Sequence, residues 1–448
     1  MTSQKPRVVI IGAGFAGVEA AKKLGKHGVN VLLIDRHNYH TFIPMLYQVA
    51  TTVLYPHQII YPLRRLFRGF PTVNFLQADI TKVDFDNQIV YANNVSINYS
   101  YLVIATGSQS QFLGVTGAPE NSLPMRTLTD AIAIRNQVLS CFEQAAKVTD
   151  EKEITRLLTF VIVGGGATGV ELAGSLNELI DSAFKKDYPS LNSTQARVIL
   201  LQSGEQLFPS YSQQLGNYTE KRLRRHGVKV HLNSKVNKVT PEAVYLEDNT
   251  SIFTDTVIWT AGVLAATPET KQSVKTAAKD KVIVEQTLQL CGHKNAYGVI
   301  ADSYVEIQQK LNGVAQEAIQ QGETAAENIL RQIKGKSPQN FDYFNKGRLA
   351  IIGKHAGIGK IGKLELKGFV AWFLWLEVHL LYLPGIRNRL GVFFNWLKYY
   401  LFGEGASRII ISTENKERLT VNSEQFTVIS YQLTVISYQL TVVYRSGV

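Results

Sequence analysis

Residues 8–21 read VVIIGAGFAGVEAA, and residues 160–173 read FVIVGGGATGVELA. Both stretches begin with an apolar run of strand length, continue through a glycine turn and end in a helical pattern. A further apolar strand follows each one, over residues 29–34 and 197–201. Strand, turn, helix and second strand make a βαβ unit. The sequence therefore predicts an α/β protein with two Rossmann-like dinucleotide-binding domains.

The glycines of the first loop have the spacing of a pyrophosphate-binding turn. Gly12 makes the turn, Gly14 lets a pyrophosphate approach the backbone, and Gly17 allows the helix to pack closely on the strand. Asp35 ends the second strand, where a carboxylate accepts hydrogen bonds from a ribose. Two such loops favour FAD in the first domain and NADH or NADPH in the second, with the nicotinamide against the flavin. The competing interpretation is a strand–turn–helix without a ligand.

Gln202 occupies the position in the second unit that Asp35 holds in the first. An acid there hydrogen-bonds a bare ribose and repels a 2′-phosphate, whereas a neutral amide removes that repulsion. Two interpretations stay open: Gln202 admits NADPH as well as NADH, or it hydrogen-bonds the NADH ribose as a neutral group.

The composition limits the chemistry of this chain of 448 residues. Cys141 and Cys291 are its only cysteines and lie too far apart in sequence for a CxxC pair, a zinc site or a disulfide relay. The nine histidines show no metal-ligand spacing, so we predict no metal. The net charge of +11 suits an anionic membrane surface, anionic ligands or nucleic acid. Residues 1–7 lack a signal-peptide pattern, which predicts the cytoplasmic side of any membrane.

Several separate motifs, in order along the chain, resemble those of type II NADH:quinone oxidoreductases. These are single-subunit, non-proton-pumping respiratory dehydrogenases of the two-dinucleotide-fold flavoprotein superfamily. Residues 35–51, DRHNYHTFIPMLYQVAT, resemble the family signature, and the similarity continues through 105–108 (ATGS), 259–263 (WTAGV) and 315–322 (AQEAIQQG). The last stretch is similar to the family's AQxAxQ quinone motif. The resemblance covers roughly residues 6–411 and leaves the C-terminal repeat outside.

The resemblance implies site residues at matching positions of this chain. For FAD these are Gly12, Gly14, Phe15, Ala16, Gly17, Asp35, Arg36, Ala105, Thr106, Gly107, Asp302 and Ala315. For NADH or NADPH they are Gly164, Gly166, Ala167, Thr168, Gly169, Gln202 and Gly262.

Three residues are implied as catalytic: Glu171, Gln316 and Gln320. Glu171 lies one turn into the second glycine-loop helix, facing the nicotinamide or, alternatively, only complementing the helix dipole. Gln316 and Gln320 share a helix face, where two amides can hydrogen-bond quinone oxygens without bringing a charge into an apolar slot. Without the resemblance, a solvated helix with outward glutamines is the simpler interpretation.

The C-terminal section predicts contact with a membrane. Residues 368–383 are highly apolar but carry Glu377 and His379 and stop at Pro384-Gly385, so they are too short and too charged to span a bilayer. The next helix has an apolar stripe, with basic residues off the stripe and Trp396, Tyr399 and Tyr400 available at an interface. The stripe comprises Ile386, Leu390, Phe393, Phe394, Leu397 and Leu401. The alternative is a buried helical pair or a dimer interface.

These observations define the predicted architecture. Residues 1–125 and 285–340 form a discontinuous FAD domain, 126–284 the NAD(P)H domain, and 341–411 an amphipathic helical section that docks on the membrane through 366–402. Residues 412–448, which contain TVISYQL twice in succession, read as a neutral extension or, alternatively, an edge hairpin.

The predicted function is hydride transfer from NADH or NADPH to FAD and electron transfer to a membrane quinone, by a peripheral protein with no nucleic-acid partner; a homodimer is a further hypothesis. The basic residues of the membrane section explain part of the net charge. Three departures from the family pattern, Ala301 before Asp302, the linker 303–312 and Thr52 in place of a glycine, keep two alternatives open. These are a diaphorase-like reductase of another acceptor and a non-catalytic redox sensor.

Overall fold

A computed structural model of the chain describes residues 7–93, 95–191, 195–272, 283–299, 304–305, 313–403, 405–406 and 408–410. Ala301, Asp302, most of the linker 303–312 and the repeat 412–448 lie outside the described residues, so the predictions made for them stay predictions.

The described part of the chain contains both helices and strands throughout its length. The described helices are α1 (Phe15–Lys26), α2 (Leu46–Ala50), α3 (Leu63–Leu66), α4 (Ala118–Asn121), α5 (Leu128–Ala145), α6 (Glu151–Leu157), α7 (Ala167–Leu179), α8 (Lys185–Asp187), α9 (Gln213–Arg225), α10 (Ala315–Ile333), α11 (Phe369–Tyr382) and α12 (Ile386–Phe402). The described strands are β1 (Arg7–Ile11), β2 (Asn30–Asp35), β3 (Tyr39–Thr41), β4 (Ile60–Pro62), β5 (Val73–Gln77), β6 (Ile80–Asp84), β7 (Ile89–Ala92), β8 (Val95–Asn98), β9 (Tyr101–Ile104), β10 (Ser108–Ser110), β11 (Leu123–Pro124), β12 (Thr159–Val163), β13 (Arg197–Leu201), β14 (Lys229–His231), β15 (Val236–Val239), β16 (Ala243–Leu246), β17 (Ser251–Phe253), β18 (Thr256–Trp259), β19 (Val263–Ala265), β20 (Ile283–Val284), β21 (Gln289–Leu290), β22 (His293–Gly298), β23 (Tyr304–Val305), β24 (Arg348–Gly353), β25 (Ala356–Ile361) and β26 (Leu364–Gly368).

Two separate sheets carry the two glycine loops. The first has the order β23-β20-β21-β22-β9-β1-β2-β5, and the second has the order β11-β18-β12-β13-β14. In each sheet the strand that enters the glycine loop, β1 or β12, pairs in parallel with two neighbours. Both strands are buried almost throughout, which is why they read as unbroken apolar runs rather than alternating ones.

The two segments that end in Gly107 and Gly262 occupy equivalent places in the two sheets. β9 lies beside β1 in the first sheet, and β18 lies beside β12 in the second. An antiparallel pair, β10 with β19, follows these two strands and joins the two parts of the fold. The α/β fold with two glycine-loop sheets is therefore confirmed.

The helices α5 and α9 each begin at a side chain that caps the first turn. Thr127 caps α5 by accepting a hydrogen bond from the Asp130 backbone N–H, and the Asp130 carboxylate accepts one from the Thr127 backbone N–H. Ser212 caps α9 by accepting from the Leu215 N–H. These side chains satisfy the free N–H groups of the first turn and thereby fix where each helix starts.

The C-terminal section contains a sheet that the sequence analysis missed. β24, β25 and β26 form an antiparallel meander before the two predicted helices. Its turns lie at 354–355 and 362–363, where His355 and Gly362 adopt positive φ angles of 58° and 58°. The helices α11 and α12 follow, separated at Pro384-Gly385 as expected. Among the residues that the structure describes, no helix combines the length and hydrophobicity needed to cross a bilayer.

Candidate active site

The first glycine loop leaves an open cradle at the start of α1. Gly12 has a φ angle of 99°, and a β-carbon built there would lie 2.3 Å from the Ala105 carbonyl oxygen, so only glycine fits. Gly17 packs against Gly12, where a built β-carbon would lie 1.8 Å from the Gly12 oxygen. Gly14 caps the helix without a side-chain bond and has no atom within 4 Å of its built β-carbon. Free helical N–H groups and open space at this point suit a pyrophosphate.

Asp35 is tied to this loop by backbone hydrogen bonds. Its Oδ2 accepts from the Ala13 N–H at 2.7 Å and its Oδ1 from the His37 N–H at 2.8 Å. Burial alone raises the pKa of Asp35, but the hydrogen bonds from His37 and Ala13 outweigh it and bring the pKa below its usual value. The carboxylate is therefore ionised at neutral pH and suited to accept from ribose hydroxyls.

His40 is a residue of this site that the sequence analysis did not single out. Its Nδ1 lies 2.9 Å from the Ala13 carbonyl oxygen, and its ring packs edge-on against Phe15 at 5.2 Å. Burial lowers its pKa, so the imidazole is held neutral. His40 lies in the signature stretch, at the buried middle position of β3, but its neighbours Tyr39 and Thr41 give no sequence signal of that burial.

The second glycine loop repeats the first. Gly164 has a φ angle of 114°, and a β-carbon built on Gly169 would lie 1.9 Å from the Gly164 oxygen. Gly166 caps α7 and has open space at its α-carbon. The Gly165 N–H donates to Gln202 Oε1 at 2.9 Å, the same contact that Ala13 makes with Asp35. Gln202 thus takes over the structural role of the acid without its charge.

Thr260 is the second site residue that sequence analysis missed. Its hydroxyl donates to the Val163 carbonyl oxygen at 2.8 Å, at the entrance to the second loop. In the register of the two sheets, Thr260 corresponds to Ala105 of the ATG motif, because the backbone N–H of each donates to the last residue of the strand that enters its glycine loop. Thr106, in the first motif, has a buried Oγ1 with no hydrogen-bond partner, which is the kind of group that a bound cofactor satisfies.

The remaining predicted cofactor residues that the structure describes lie at several places around the two glycine loops. Phe15, Ala16, Ala105 and Gly107 lie at the first loop or beside it, whereas Ala167 and Thr168 are exposed at the start of α7. Ala315 begins α10, and the Gly262 carbonyl accepts from the Gln111 N–H at 3.2 Å beside the second sheet. Arg36 points to solvent in a surface ion pair with Asp79 at 3.4 Å, so its predicted cofactor contact has no support from this geometry.

Glu171 lies on the face of α7 that packs against the C-terminal section. Its Oε1 accepts from the Ile351 N–H of β24 at 3.3 Å, and the Trp375 indole of α11 also bonds the carboxyl. Burial raises the pKa of Glu171 to about 8, and these two hydrogen bonds only partly offset it. Glu171 lies one turn into α7 and its side chain meets β24 and α11, whereas its predicted place facing the nicotinamide stays a prediction.

A second, half-buried acid follows two turns along the same face of α7. Glu178 accepts from the Tyr399 hydroxyl at 2.8 Å and from the Lys354 N–H. Burial raises its pKa as well, while these hydrogen bonds and the nearby Lys354 charge act in the opposite direction. Between the two acids, Ser175 shares a 2.6 Å hydrogen bond with Thr51 of the signature stretch.

The two motif glutamines of α10 bond to backbone. Gln320 donates to the Phe344 oxygen at 2.9 Å and accepts from the Phe344 N–H at 2.9 Å. Gln316 donates to the Gly347 oxygen at 2.8 Å and accepts from the Lys346 N–H at 3.1 Å. Their predicted contact with quinone oxygens stays a prediction, but both ends of each amide already have partners.

The adjacent Gln321 differs from both motif glutamines. It is fully buried, and neither its Oε1 nor its Nε2 has a hydrogen-bond partner. The next residue, Gly322, touches the first loop, where a built β-carbon would lie 2.2 Å from the Ala16 oxygen. Gln321 is therefore a buried amide without a partner, directly before the residue at which α10 contacts α1.

The apolar stripe predicted on α12 faces outward. Its six residues are between 46% and 71% exposed. On α11, Phe369, Val370, Phe373 and Leu381 are exposed by more than half. In the single chain, α11 and α12 are therefore not a fully buried helical pair, and that interpretation is wrong.

The inner face of α12 corrects another prediction. Trp396 and Tyr399, expected at an interface, are 4% and 5% exposed. Trp396 donates to Gln48 of the signature stretch at 2.7 Å, and Tyr399 bonds Glu178. These aromatic side chains carry polar groups that find buried partners, so they fasten the helix to α2 and α7.

The residues present fit both predicted cofactors. The first loop combines an open helix N-terminus, the ionised Asp35 and the unpartnered Thr106 hydroxyl, as FAD requires. The second combines the equivalent cradle with the neutral Gln202, which fits a nicotinamide dinucleotide. Two βαβ cradles of this kind in one chain define a flavin- and nicotinamide-dependent oxidoreductase.

Comparisons with known proteins agree with that class. Residues 6–322 match the family model described as pyridine nucleotide-disulphide oxidoreductase, and residues 345–404 match the NDH2 C-terminal domain. The type II NADH:quinone oxidoreductase Ndh of Mycobacterium tuberculosis is 33% identical over 420 residues, which covers 89% of this chain and 90% of the relative. NdhA of the same organism is 35% identical over 408 residues, covering 87% and 86%.

Solved structures show the same fold. NDH2 of Plasmodium falciparum in complex with NADH matches with a TM-score of 0.84 at 19% identity, covering 91% of this chain and 100% of the other. The sulfide:quinone oxidoreductase of Aquifex aeolicus matches with a TM-score of 0.68 at 18% identity, covering 89% and 96%. This chain belongs to the type II NADH:quinone oxidoreductase family. That membership confirms the predicted enzyme class and its use of FAD and NADH.

Proposed function

We propose that this chain oxidises NADH or NADPH at FAD and delivers the electrons to a membrane quinone, docked on the cytoplasmic side of a membrane and without pumping protons. FAD, when bound, accepts the hydride and releases two electrons to the next acceptor. The chain itself binds, orients and supplies protons. The helix N-termini at Gly14 and Gly166 would hold the two pyrophosphates, and Asp35 the FAD ribose.

The observation that carries the quinone assignment is the outward apolar face of α11 and α12. Ile386, Phe394 and Leu401 are 71%, 61% and 66% exposed, and none is covered by a described part of the chain. Burying a large apolar side chain contributes about 1.5–3 kcal/mol, so a face of this size favours a bilayer strongly. A lipid-soluble acceptor reaches the protein through the same surface.

Glu171 is suited to supply a proton to the acceptor. Quinone reduction consumes two protons with the two electrons, and a buried acid that keeps its proton can supply one of them. With a pKa of about 8, the Glu171 carboxyl keeps its proton at neutral pH. It lies between α7, which begins at the nicotinamide loop, and α11, which faces outward, where a donor to the quinone is needed.

Gln202 supports the use of NADPH beside NADH. Its Oε1 is occupied by the Gly165 N–H, so the group left to meet the ribose is the amide nitrogen, a hydrogen-bond donor. A donor suits both a ribose hydroxyl oxygen and a 2′-phosphate, whereas a carboxylate repels the phosphate.

The test is turnover by the full chain, purified in detergent with FAD, with NADH and NADPH as donors and a soluble quinone analogue as acceptor. Quinone-dependent oxidation supports the proposal. If the protein reduces ferricyanide but does not reduce the quinone analogue, the diaphorase-like alternative is favoured. Flavin-loaded protein that binds NADH without any turnover identifies a redox sensor.

Membrane docking is tested separately by sedimentation with phospholipid vesicles. We expect the triple variant Phe393→Ser, Phe394→Ser, Leu397→Ser to leave the vesicle pellet. The control is Phe253→Ser, which removes an equally exposed aromatic side chain, 62% accessible, from β17. If the triple variant instead turns a dimer into a monomer and still binds vesicles, the face is an interface between copies of the chain.

A further inference from the structure

We propose that His379 of α11 is an acceptor-binding residue, whose Nε2 accepts a hydrogen bond from a hydroxyl of the reduced acceptor, a hydroquinone. A quinone offers this nitrogen no hydrogen, so the contact selects the acceptor after it has gained electrons and protons. The proposal rests on the proposed function for the identity of the acceptor, but the binding of a hydroquinone is measurable without turnover.

His379 is the open position in a row of buried residues on the inner side of α11. Ala371 and Trp375 lie two turns and one turn before it, Leu383 follows at the end of the helix, and each of the three is at most 1% exposed. His379 itself is half-buried. Val370, nine residues earlier and therefore on the opposite side of the helix, is 55% exposed. His379 therefore faces away from the outward apolar face of α11.

The surroundings of the imidazole determine which ring nitrogen carries the hydrogen. Nδ1 lies 2.7 Å from the Trp375 carbonyl oxygen, which can only accept, so Nδ1–H is the donor. Burial lowers the pKa of His379 to about 4, so the ring is neutral at neutral pH and carries a single N–H hydrogen. Nε2 is therefore an acceptor without a hydrogen, and it has no hydrogen-bond partner in the part of the chain that the structure describes.

His379 lies between the start of α1 and Glu171. Phe42 packs edge-on against Phe15, at the first glycine loop, at 5.8 Å and against His379 at 6.1 Å. The His379 imidazole also stacks on the Trp375 indole at 3.8 Å, and the same indole bonds the Glu171 carboxyl. An acceptor that takes electrons from a flavin held by the first loop and a proton from Glu171 would therefore come close to this imidazole.

The Nε2 lone pair distinguishes the two redox states of the acceptor. The oxygens of a quinone can only accept hydrogen bonds, so they gain nothing from Nε2. A hydroquinone hydroxyl donates, and its bond to Nε2 forms only after the oxygen has taken up a proton. Because the contact is stronger with the reduced acceptor than with the oxidised one, it favours reduction instead of tighter binding of the quinone. His379 keeps its Nδ1 hydrogen throughout, so the protons of the hydroquinone come from other groups.

The experiment compares the FAD-loaded full chain in detergent with its variants His379→Phe and His379→Gln. Phenylalanine keeps a ring against Trp375 and removes both nitrogens, whereas the glutamine side-chain oxygen can still accept a hydrogen bond. The matched control is His57→Phe, because His57 is exposed and stacks on Tyr55 at 5.5 Å. Three ligands are titrated without oxygen or NADH: a soluble quinone, its hydroquinone, and the dimethyl ether of that hydroquinone, which cannot donate. Binding is followed by tryptophan fluorescence and by the ¹⁵N resonances of labelled histidines.

We expect the parent to bind the hydroquinone on the order of tenfold more tightly than the dimethyl ether, as one hydrogen bond allows. His379→Phe should abolish this difference and leave the quinone Kd unchanged, whereas His379→Gln and His57→Phe should retain it. The Nε2 resonance of His379, assigned by its absence from both His379 variants, should be that of a nitrogen without hydrogen. It should shift on addition of the hydroquinone and not on addition of the ether. In turnover, product inhibition by the hydroquinone should weaken in His379→Phe by the same factor as binding.

Several results would overturn the proposal. The first is equal affinity of the parent for the hydroquinone and its ether, and the second is an Nε2 resonance that shows a bonded hydrogen. If His379→Phe weakens binding of all three ligands by the same factor, His379 acts through its shape alone and the proposal also fails. A parent without quinone turnover refutes the proposed function, whereas the hydroquinone titration and the Nε2 resonance still decide the role of His379.

Discussion

Replacing Glu171 by glutamine should stabilise the protein at neutral and alkaline pH. The carboxyl is buried between α7, β24 and α11, and its surroundings raise its pKa from an ordinary 4.5 to about 8. A glutamine has nearly the same shape, can accept from Ile351 and Trp375, and never ionises. It therefore mimics the protonated acid at every pH.

The sign and size of the effect follow from proton linkage. The folded protein holds the Glu171 proton more tightly than the unfolded chain, so this stability is fully present below pH 4.5 and is lost as pH rises to about 8. At about 1.4 kcal/mol for each pH unit, the loss is about 3 kcal/mol at pH 7 and about 5 kcal/mol above pH 8. Glu171→Gln should escape that loss.

The assay is the melting temperature of parent and variant, with saturating FAD, between pH 4 and pH 9. The two curves should coincide near pH 4 and separate steadily above it, with the variant higher. Quinone turnover should respond oppositely: the parent should lose activity above pH 8 as Glu171 ionises, and the variant should be slow at every pH because it has no proton to give. Glu323→Gln, at an exposed position of α10, serves as the control.

Two results would refute this reasoning. Melting curves that stay parallel across the whole pH range would mean that Glu171 titrates normally and is already ionised at neutral pH. A variant with full quinone turnover and an unchanged high-pH limb would mean that the proton reaches the acceptor from another group.

Three further changes have definite expected outcomes. Gln202→Glu should raise the preference for NADH over NADPH at least about tenfold in kcat/KM, because like-charge contact with a 2′-phosphate costs several kcal/mol. Thr52→Gly should raise the free energy of unfolding by about 1–2 kcal/mol, since Thr52 has a φ angle of 59° and a buried hydroxyl without a partner. Gln321→Leu should raise the melting temperature of the FAD-free protein, by removing an unsatisfied buried amide worth about 1–3 kcal/mol, while weakening FAD binding.

Each of these changes has a control and a contradicting outcome. Glu205→Gln, in the same loop as Gln202, controls for general charge, and an unchanged NADH/NADPH ratio in Gln202→Glu would place the 2′-phosphate elsewhere. Thr52→Ala separates the hydroxyl from the backbone strain, and a destabilised Thr52→Gly would show that the left-handed turn is not strained. Unaltered FAD affinity in Gln321→Leu would exclude Gln321 from the cofactor site.

The cofactor cradles could be predicted from the sequence alone. Gly12 and Gly164 each have a positive φ angle, and a β-carbon there would clash with the segment that follows the neighbouring strand. The glycine motif can be recognised in the sequence because only glycine fits this backbone geometry. Asp35 and Gln202 were identified by their spacing in sequence from the glycine loops. In the structure, the side chain of each accepts a hydrogen bond from a backbone N–H of its loop. Such features are local in the chain, because strand, turn and helix follow one another without a long-range choice.

The tertiary structure decided which partner each polar side chain has. The residues near Glu171 in sequence do not predict its hydrogen bonds with Ile351 and Trp375, and those near Trp396 do not predict its bond with Gln48. The resemblance implies that the two motif glutamines contact the quinone, and only the structure shows that they also bond to the backbone of residues 344–347, at the start of the C-terminal section. The meander β24–β26 was also missed.

The physical reason is that burial and hydrogen-bond partners are properties of the packed molecule. A pattern such as the α12 stripe fixes which residues share a face, whereas the fold decides whether that face meets α7 or the outside. The sequence by itself therefore determined the two nucleotide cradles and the apolar helices, since both follow from local spacing. The protonation of Glu171 and the pairing of Gln316 and Gln320 depend on contacts between segments that are far apart in the chain, and these exist only after folding.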